Sequence, residues 1–402
     1  MNKIELLAPA GDLARAKIAI MYGANAVYLG GKSFSLRSRA SNFELSDIAE
    51  AVIFAKQYQA LIYVTVNIIP HDEDLDGLDE YLRALADRGV AAIICSSLYI
   101  AKISKQVAPQ MEVHLSTQQS VTNSAAIAYY QKMGIDRIVL ARELSITEIN
   151  LTNKHSALPL EAFIHGGMCA NYSGRCTISN FMTNRDANRG GCAHSCRWFY
   201  HLFENDKMID KNDELFTMAA RDLSAAAYIA PLIDINVVSL KIEGRMKSAY
   251  YIAAVVKTYR LLIDEYYQKG VITLDRLNWY QQELNKSENR DVSDGYLNGI
   301  PQEDPIKALI KSTASQEFVG YIRDYRDDSA LVEIRNRFVK GDRLEILSPT
   351  CDNRQFVVET IFDEENEAID ICNKPMQLVW IKIPYPVNEH DMLRRGDDNV
   401  SV

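Results

Sequence analysis

Several common catalytic signatures are missing from this chain. It has no H-E-x-x-H, the helical pattern of zinc hydrolases, and no G-x-S-x-G, the nucleophile elbow of serine hydrolases. No G-x-G-x-x-G follows the first apolar strand, which removes the usual signal for dinucleotide binding. No apolar run approaches the roughly 20 residues of a membrane span. The opening MNKIELLAPAG shows no basic segment, apolar segment and cleavage site in succession, so the expectation is a cytoplasmic protein with no membrane contact. Positive charge is also short: the net charge is -9, which counts against a polyanionic partner unless Lys and Arg are gathered locally.

Cysteine is sparse but concentrated. Of seven cysteines, four (Cys169, Cys176, Cys192 and Cys196) fall within the glycine-rich stretch His165 to Trp198. Disulfides would require an oxidising compartment, which nothing at the start of the chain suggests. A structural zinc usually draws on two short C-x2-4-C knuckles, whereas the spacing here is C-x6-C-x15-C-x3-C. An iron-sulfur cluster tolerates such irregular spacing, because its corners accept thiolates from different directions. The cluster is the preferred reading and zinc the alternative. The C-x3-C-x2-C spacing of radical S-adenosylmethionine enzymes is absent, since Phe199 stands three residues beyond Cys196.

The run Glu161, Phe163, Gly166, Met168, Cys169, Gly174, Cys176, Ile178, Ser179 resembles the signature of peptidase family U32, the collagenase-like proteins. Gly167 stands where that signature has Ser or Ala. The resemblance continues in KIEGRMKS (Lys241 to Ser248) and NRDVSDGY (Asn289 to Tyr296). The CAHSC segment followed by Arg197 and Trp198 is most similar to the tRNA hydroxylation branch of the family. That resemblance implies a [4Fe-4S] cluster on the four cysteines. It also implies prephenate-dependent, O2-independent 5-hydroxylation of the wobble uridine of tRNA.

Along the chain, eight short apolar strands alternate with amphipathic helical stretches, the pattern of β/α units. The expected strands are residues 4–8, 26–30, 61–67, 91–95, 111–116, 137–141, 160–165 and 237–243. Helices over 12–24 and 44–58 are expected to start near Asp12 and Ser46. Eight such units predict a (β/α)8 TIM-like barrel over residues 1–305, with a doubly wound open sheet as the alternative. Strands seven and eight are separated by a cysteine-rich insertion, about 165–215, and an extra strand is expected at 215–223. An insertion after a barrel strand sits at the C-terminal mouth, where barrel enzymes carry their chemistry. A long helix is expected at 248–268. Residues 306–402 turn to short alternating strands, which predicts a small C-terminal β-barrel domain.

Residues just past the strand ends then share one cavity. Candidates for binding an anionic co-substrate are Arg142, Lys241 and Arg245, with Asn67 and Gln118 beside them; His165 and Glu243 are the candidates for proton handling. Lys32, Arg37, Arg39, Arg175, Arg185, Arg189, Arg197, Arg221 and Lys247 make this a basic face on an acidic protein. That answers the charge objection and suits both carboxylates and an RNA backbone. The competing reading is that some of these cations form structural bridges to Asp186, Asp222 or Glu243. Two other functions stay open. A cysteine peptidase could pair His165 with Cys169 or His194 with Cys192, and a non-catalytic cluster protein could act only beside a related U32-family subunit.

Overall fold

A computed structural model describes residues 3–36, 42–210, 215–287, 290–300 and 318–396. Eight parallel strands form its centre: β1 (Glu5–Pro9), β2 (Ala26–Gly30), β3 (Leu61–Val66), β4 (Ala92–Cys95), β5 (Glu112–Leu115), β6 (Arg137–Val139), β7 (Leu160–Gly166) and β8 (Ser239–Ile242). Each pairs with the next, and β8 pairs with both β7 and β1, so the sheet closes. All eight expected strands are present, and the open-sheet alternative falls.

Period-two alternation divides the strand residues between two environments. Leu6, Val27, Val64, Ile93, Val113, Ile138, Ala162 and Leu240 face outward and join the helices in one large core. Leu7, Ala26, Tyr28, Tyr63, Ala92 and Ile94 form a separate cluster inside the barrel. The outer layer includes α1 (Leu13–Met21), α2 (Leu45–Gln57), α3 (Leu78–Asp87), α4 (Leu98–Val107), α5 (Ser124–Lys132) and α6 (Ile146–Lys154). Asp12 caps α1, its side chain accepting the Arg15 N–H at 2.9 Å. The cap of α2 is Glu44 rather than Ser46, with the Asp47 carboxylate accepting the Glu44 N–H in return.

After β7 the chain leaves the barrel for the insertion, which holds α7 (Ile178–Thr183) among short 3-10 turns. The extra strand expected at 215–223 is mostly absent. Phe216 makes one bridge to Tyr200, and pairing resumes only at Asp222–Ser224, antiparallel to the end of β7. Helices α8 (Ile229–Asp234), α9 (Ala249–Lys269) and α10 (Leu274–Asn285) follow, α9 packing almost its whole first half into the core. Among the described residues no helix is long and apolar enough to cross a membrane.

The C-terminal part is a seven-stranded antiparallel sheet curved into a half-barrel around its own apolar core. It is tied to the barrel by buried polar contacts. Arg394 bonds Glu345 at 2.9 Å and Glu283 of α10 at 2.5 Å, and Lys257 of α9 reaches the Cys351 carbonyl at 2.9 Å. The expected boundary at 305/306 lies outside the described residues.

Candidate active site at the barrel mouth

Beneath the mouth the barrel interior is ionic. Glu161 on β7 is fully buried and accepts Lys241 Nζ of β8 at 2.7 Å and Arg137 of β6 at 3.3 Å. Arg137 also bonds Glu5 at 2.6 Å, and Tyr63 and Ser239 donate to the same Glu5 carboxylate. Burial acts to raise the Glu161 carboxyl, but Lys241 and then Arg137 outweigh it and hold it at about 2. Lys241 is therefore a floor cation of the barrel, its ammonium balanced by Glu161 and capped by the rings of Tyr28 at 4.7 Å and Phe163 at 5.4 Å.

Above that layer the strand ends supply the groups of the mouth. Glu243 is half-exposed, and its Oε2 accepts the Tyr28 hydroxyl at 3.0 Å. Arg245 is buried and donates to Ser35 at 2.9 Å, Thr65 at 3.2 Å and Asn42 at 2.9 Å. Its guanidinium lies against Gly30, where a Cβ would stand 2.6 Å from its Cζ. Arg142 donates to the Gly167 carbonyl at 2.8 Å and lies 5.2 Å from the Phe163 ring, and its Nε is buried with no hydrogen-bond partner. Asn67 and Gln118 meet directly: the Gln118 Oε1 accepts Asn67 Nδ2 at 3.1 Å and Ser96 Oγ at 3.0 Å.

His165 ends the expected seventh strand and faces a different neighbour on one side of its ring. Strands β7 and β8 shift register between Lys241 and Ile242, so that Phe163 opposes Lys241 but His165 opposes Ile242. A bulge of this kind re-aims the side chain beyond it. His165 consequently meets α9, with Nδ1 3.1 Å from the Tyr259 hydroxyl and its ring against Tyr251 and Tyr259. One nitrogen of the His165 ring thus faces α9, and the residue stays a candidate for proton handling. Gly166, next in sequence, has φ +96° and lies against the Glu243 carbonyl, a position only glycine fits.

The insertion is fastened over the mouth by the loops beneath it. Ser173 donates its N–H (2.6 Å) and hydroxyl to Glu143, Arg175 donates to the Gln118 carbonyl at 2.7 Å, and Ile69 N–H reaches the Asn188 carbonyl at 2.9 Å. Within it Ser173, Asn184 and His194 adopt left-handed backbone, winding the segment in tight turns. These turns gather the cysteines. Burial pushes the Cys196 thiol above its ordinary range, Arg197 opposes this, and the sulfurs of Cys169, Cys192 and Cys176 add to the rise. The four cysteines thus belong to one segment above the mouth and are the residues there that could hold a cofactor. Among the described residues, no three His, Cys, Asp or Glu side chains close on a point as a single-ion site requires.

Several expected mouth cations are occupied structurally. Lys32 pairs with Glu44, Arg189 with Glu73 and Asp74, and Lys247 with the buried Asp222 at 3.3 Å. Arg37 and Arg39 lie outside the described residues. Sequence reasoning missed Tyr28, Ser35, Thr65 and Glu161; the alternation of β2, β3 and β7 already aimed Tyr28, Thr65 and Glu161 inward.

Fold and site together define a (β/α)8 barrel whose mouth is lined by cations and amides and roofed by a four-cysteine insertion. The chain belongs to peptidase family U32: the family model matches residues 11–307, and the model of the U32 C-terminal domain matches 314–394. It is 44% identical to tRNA hydroxylation protein P1 of Bacillus subtilis (strain 168), over 98% of this chain and 95% of that protein. It is 39% identical to 23S rRNA 5-hydroxycytidine C2501 synthase of Escherichia coli (strain K12), over 65% of this chain and 40% of that one. It is 30% identical to a protein named Collagenase from Porphyromonas gingivalis (strain ATCC BAA-308 / W83), over 74% of each.

Proposed function

We propose that this chain is an RNA hydroxylase that converts the wobble uridine of tRNA to 5-hydroxyuridine. In this reading it uses a [4Fe-4S] cluster on Cys169, Cys176, Cys192 and Cys196, and prephenate as the anionic co-substrate. The observation that carries the reading is the gathering of four thiols directly over a cationic barrel mouth. The names of the RNA-hydroxylating relatives support the reaction class.

The donor set fits the cluster. Four soft thiolates suit iron, and a cluster accepts them from the irregular spacing of this segment. When bound, such a cluster supplies redox and Lewis-acid chemistry. The chain's own residues do the rest. Arg142, with its buried unpartnered Nε, and Arg245 suit the two carboxylates of the co-substrate. Glu243 accepts or returns a proton at Oε2, oriented by the Tyr28 hydroxyl. Asn67 and Gln118 present amide edges to the same cavity, and Lys241 sets the positive floor beneath it.

The test is nucleoside mass spectrometry of tRNA from a strain lacking this protein. Loss of 5-hydroxyuridine and its derivatives, restored by the wild-type chain but not by Cys192→Ala/Cys196→Ala, is the expected result. Unchanged tRNA would overturn the proposal.

A further inference from the structure

The described residues expose Phe and Trp side chains in one segment only. Phe181, Trp198, Phe199, Phe203 and Phe216 all lie between β7 and β8, in the insertion and the stretch just after it, and Phe181 is 90% exposed. Water-facing aromatic rings in such density mark a contact surface. Three of them flank the cysteines. Phe181 rides on α7 just after Cys176, and Trp198 and Phe199 follow Cys196. The two parts adjoin, since α7 packs on the turn Ser195–Arg197 and the Ala193 N–H donates to Ser179 Oγ at 3.1 Å. Beside Phe181 lies a cavity of about 690 Å³ lined by Thr177, Ile178, Asn180, Phe181, Met182 and Asn184.

Charge selects the occupant. From His165 to Trp198 the chain has four Arg and one Asp, a local excess of positive charge within a protein of net charge -9. Arg189 is held by Glu73 and Asp74, but Arg185 is exposed just past Phe181; exposed aromatic rings with such a guanidinium suit unpaired nucleobases on a phosphate backbone, since every base has a face that stacks and the cation meets a phosphate. A paired helix offers no free base faces to such a surface.

We infer that Phe181, Trp198 and Phe199, with Arg185 and Arg197, form a stacking platform for the unpaired bases of an RNA loop, beside the cysteine roof of the barrel mouth. This deepens the hydroxylase reading and rests on it. The platform receives the loop nucleotides that neighbour the target base, and the target itself enters the mouth.

The experiment uses the full chain, purified without oxygen, and fluorescence anisotropy at one fixed salt concentration. The probes are an unmodified tRNA anticodon stem-loop and a fully paired RNA duplex of equal length. Phe181→Ala and Phe199→Ala should each weaken stem-loop binding on the order of tenfold and leave duplex binding unchanged. Iron and sulfide content, measured in parallel, should match the parent, because both rings face solvent. Arg185→Gln should reduce the salt dependence of stem-loop binding by about 0.7 of a log-log unit. If the parent binds the stem-loop and the aromatic variants bind equally well, the platform is refuted while the hydroxylase reading stands. If the parent binds no RNA, both fall. If the aromatic variants instead convert a dimer to a monomer in sedimentation equilibrium with RNA binding intact, the surface serves a second copy of the chain and the inference is overturned.

Discussion

Replacing Lys241 by Met should destabilise the barrel severely, and in a pH-dependent way. Glu161 has no exposure, and its charge is held by Lys241 at 2.7 Å and by Arg137 at 3.3 Å, the latter shared with Glu5. Removing Lys241 leaves a buried carboxylate with half of one cation. Breaking a buried pair from one side costs about 3–5 kcal/mol, whereas replacing both members by apolar groups is often nearly neutral. For a barrel of roughly 300 residues the unfolding entropy is about 0.6 kcal/mol/K, so the melting temperature should fall by about 5–8 °C. Lys241→Met/Glu161→Leu should recover most of that loss. The pH dependence has a definite sign. Glu161 titrates at about 2 in the fold against an ordinary 4.5, so its contribution is complete above pH 4.5 and fades as pH falls toward 2. Against a variant whose Glu161 titrates ordinarily, the gap should close by about 2 kcal/mol between pH 7 and pH 3. Thermal unfolding followed by circular dichroism at both pH values measures it. A Lys241→Met protein within 1 kcal/mol of the parent at pH 7, or a gap that does not narrow on acidification, would refute the reasoning.

Three further outcomes are expected. Gly30→Ala pushes a methyl into the Arg245 guanidinium and the Ser35 hydroxyl that accepts from it; it should raise the KM for the anionic co-substrate about tenfold to a hundredfold, as Arg245→Gln does, with the fold intact by circular dichroism. Glu243→Gln should lower the turnover rate by about 10²–10⁴-fold, whereas Tyr28→Phe, which removes only the orienting hydroxyl, should cost less, as single-turnover kinetics can separate. Burial lowers Lys257 from 10.5 to about 8, so the native state sheds its proton before the unfolded chain does. Parent stability should therefore rise by up to about 3 kcal/mol between pH 8 and 10.5 relative to Lys257→Met, in denaturant titrations at each pH.

The sequence made the barrel legible because each strand is a short apolar run set between amphipathic helices, a signal that survives without knowledge of partners. The four cysteines were legible for a similar reason: their clustering is local. What stayed hidden depends on register and on distant pairing. The bulge that turns His165 toward Tyr259 leaves no mark in the run LEAFIH, which reads as plain alternation. Lys241 looked like a mouth cation until Glu161, 80 residues earlier, took its charge inside the barrel. Arg189 and Lys247 were likewise claimed by Asp74 and Asp222, carboxylates that only the closed fold brings near. At α2, Ser46 resembled a cap, but Glu44 and Asp47 exchange the bonds of the helix start.

The account turns on what the four cysteines hold, and metal analysis of anaerobically purified protein tests it most directly. Iron, acid-labile sulfide and zinc should be measured with an absorption spectrum, for the wild type and for Cys192→Ala/Cys196→Ala. About four irons and four sulfides per chain, lost in the double variant, is the predicted result. Stoichiometric zinc without sulfide, or a wild type that carries no more iron than the variant, would contradict it.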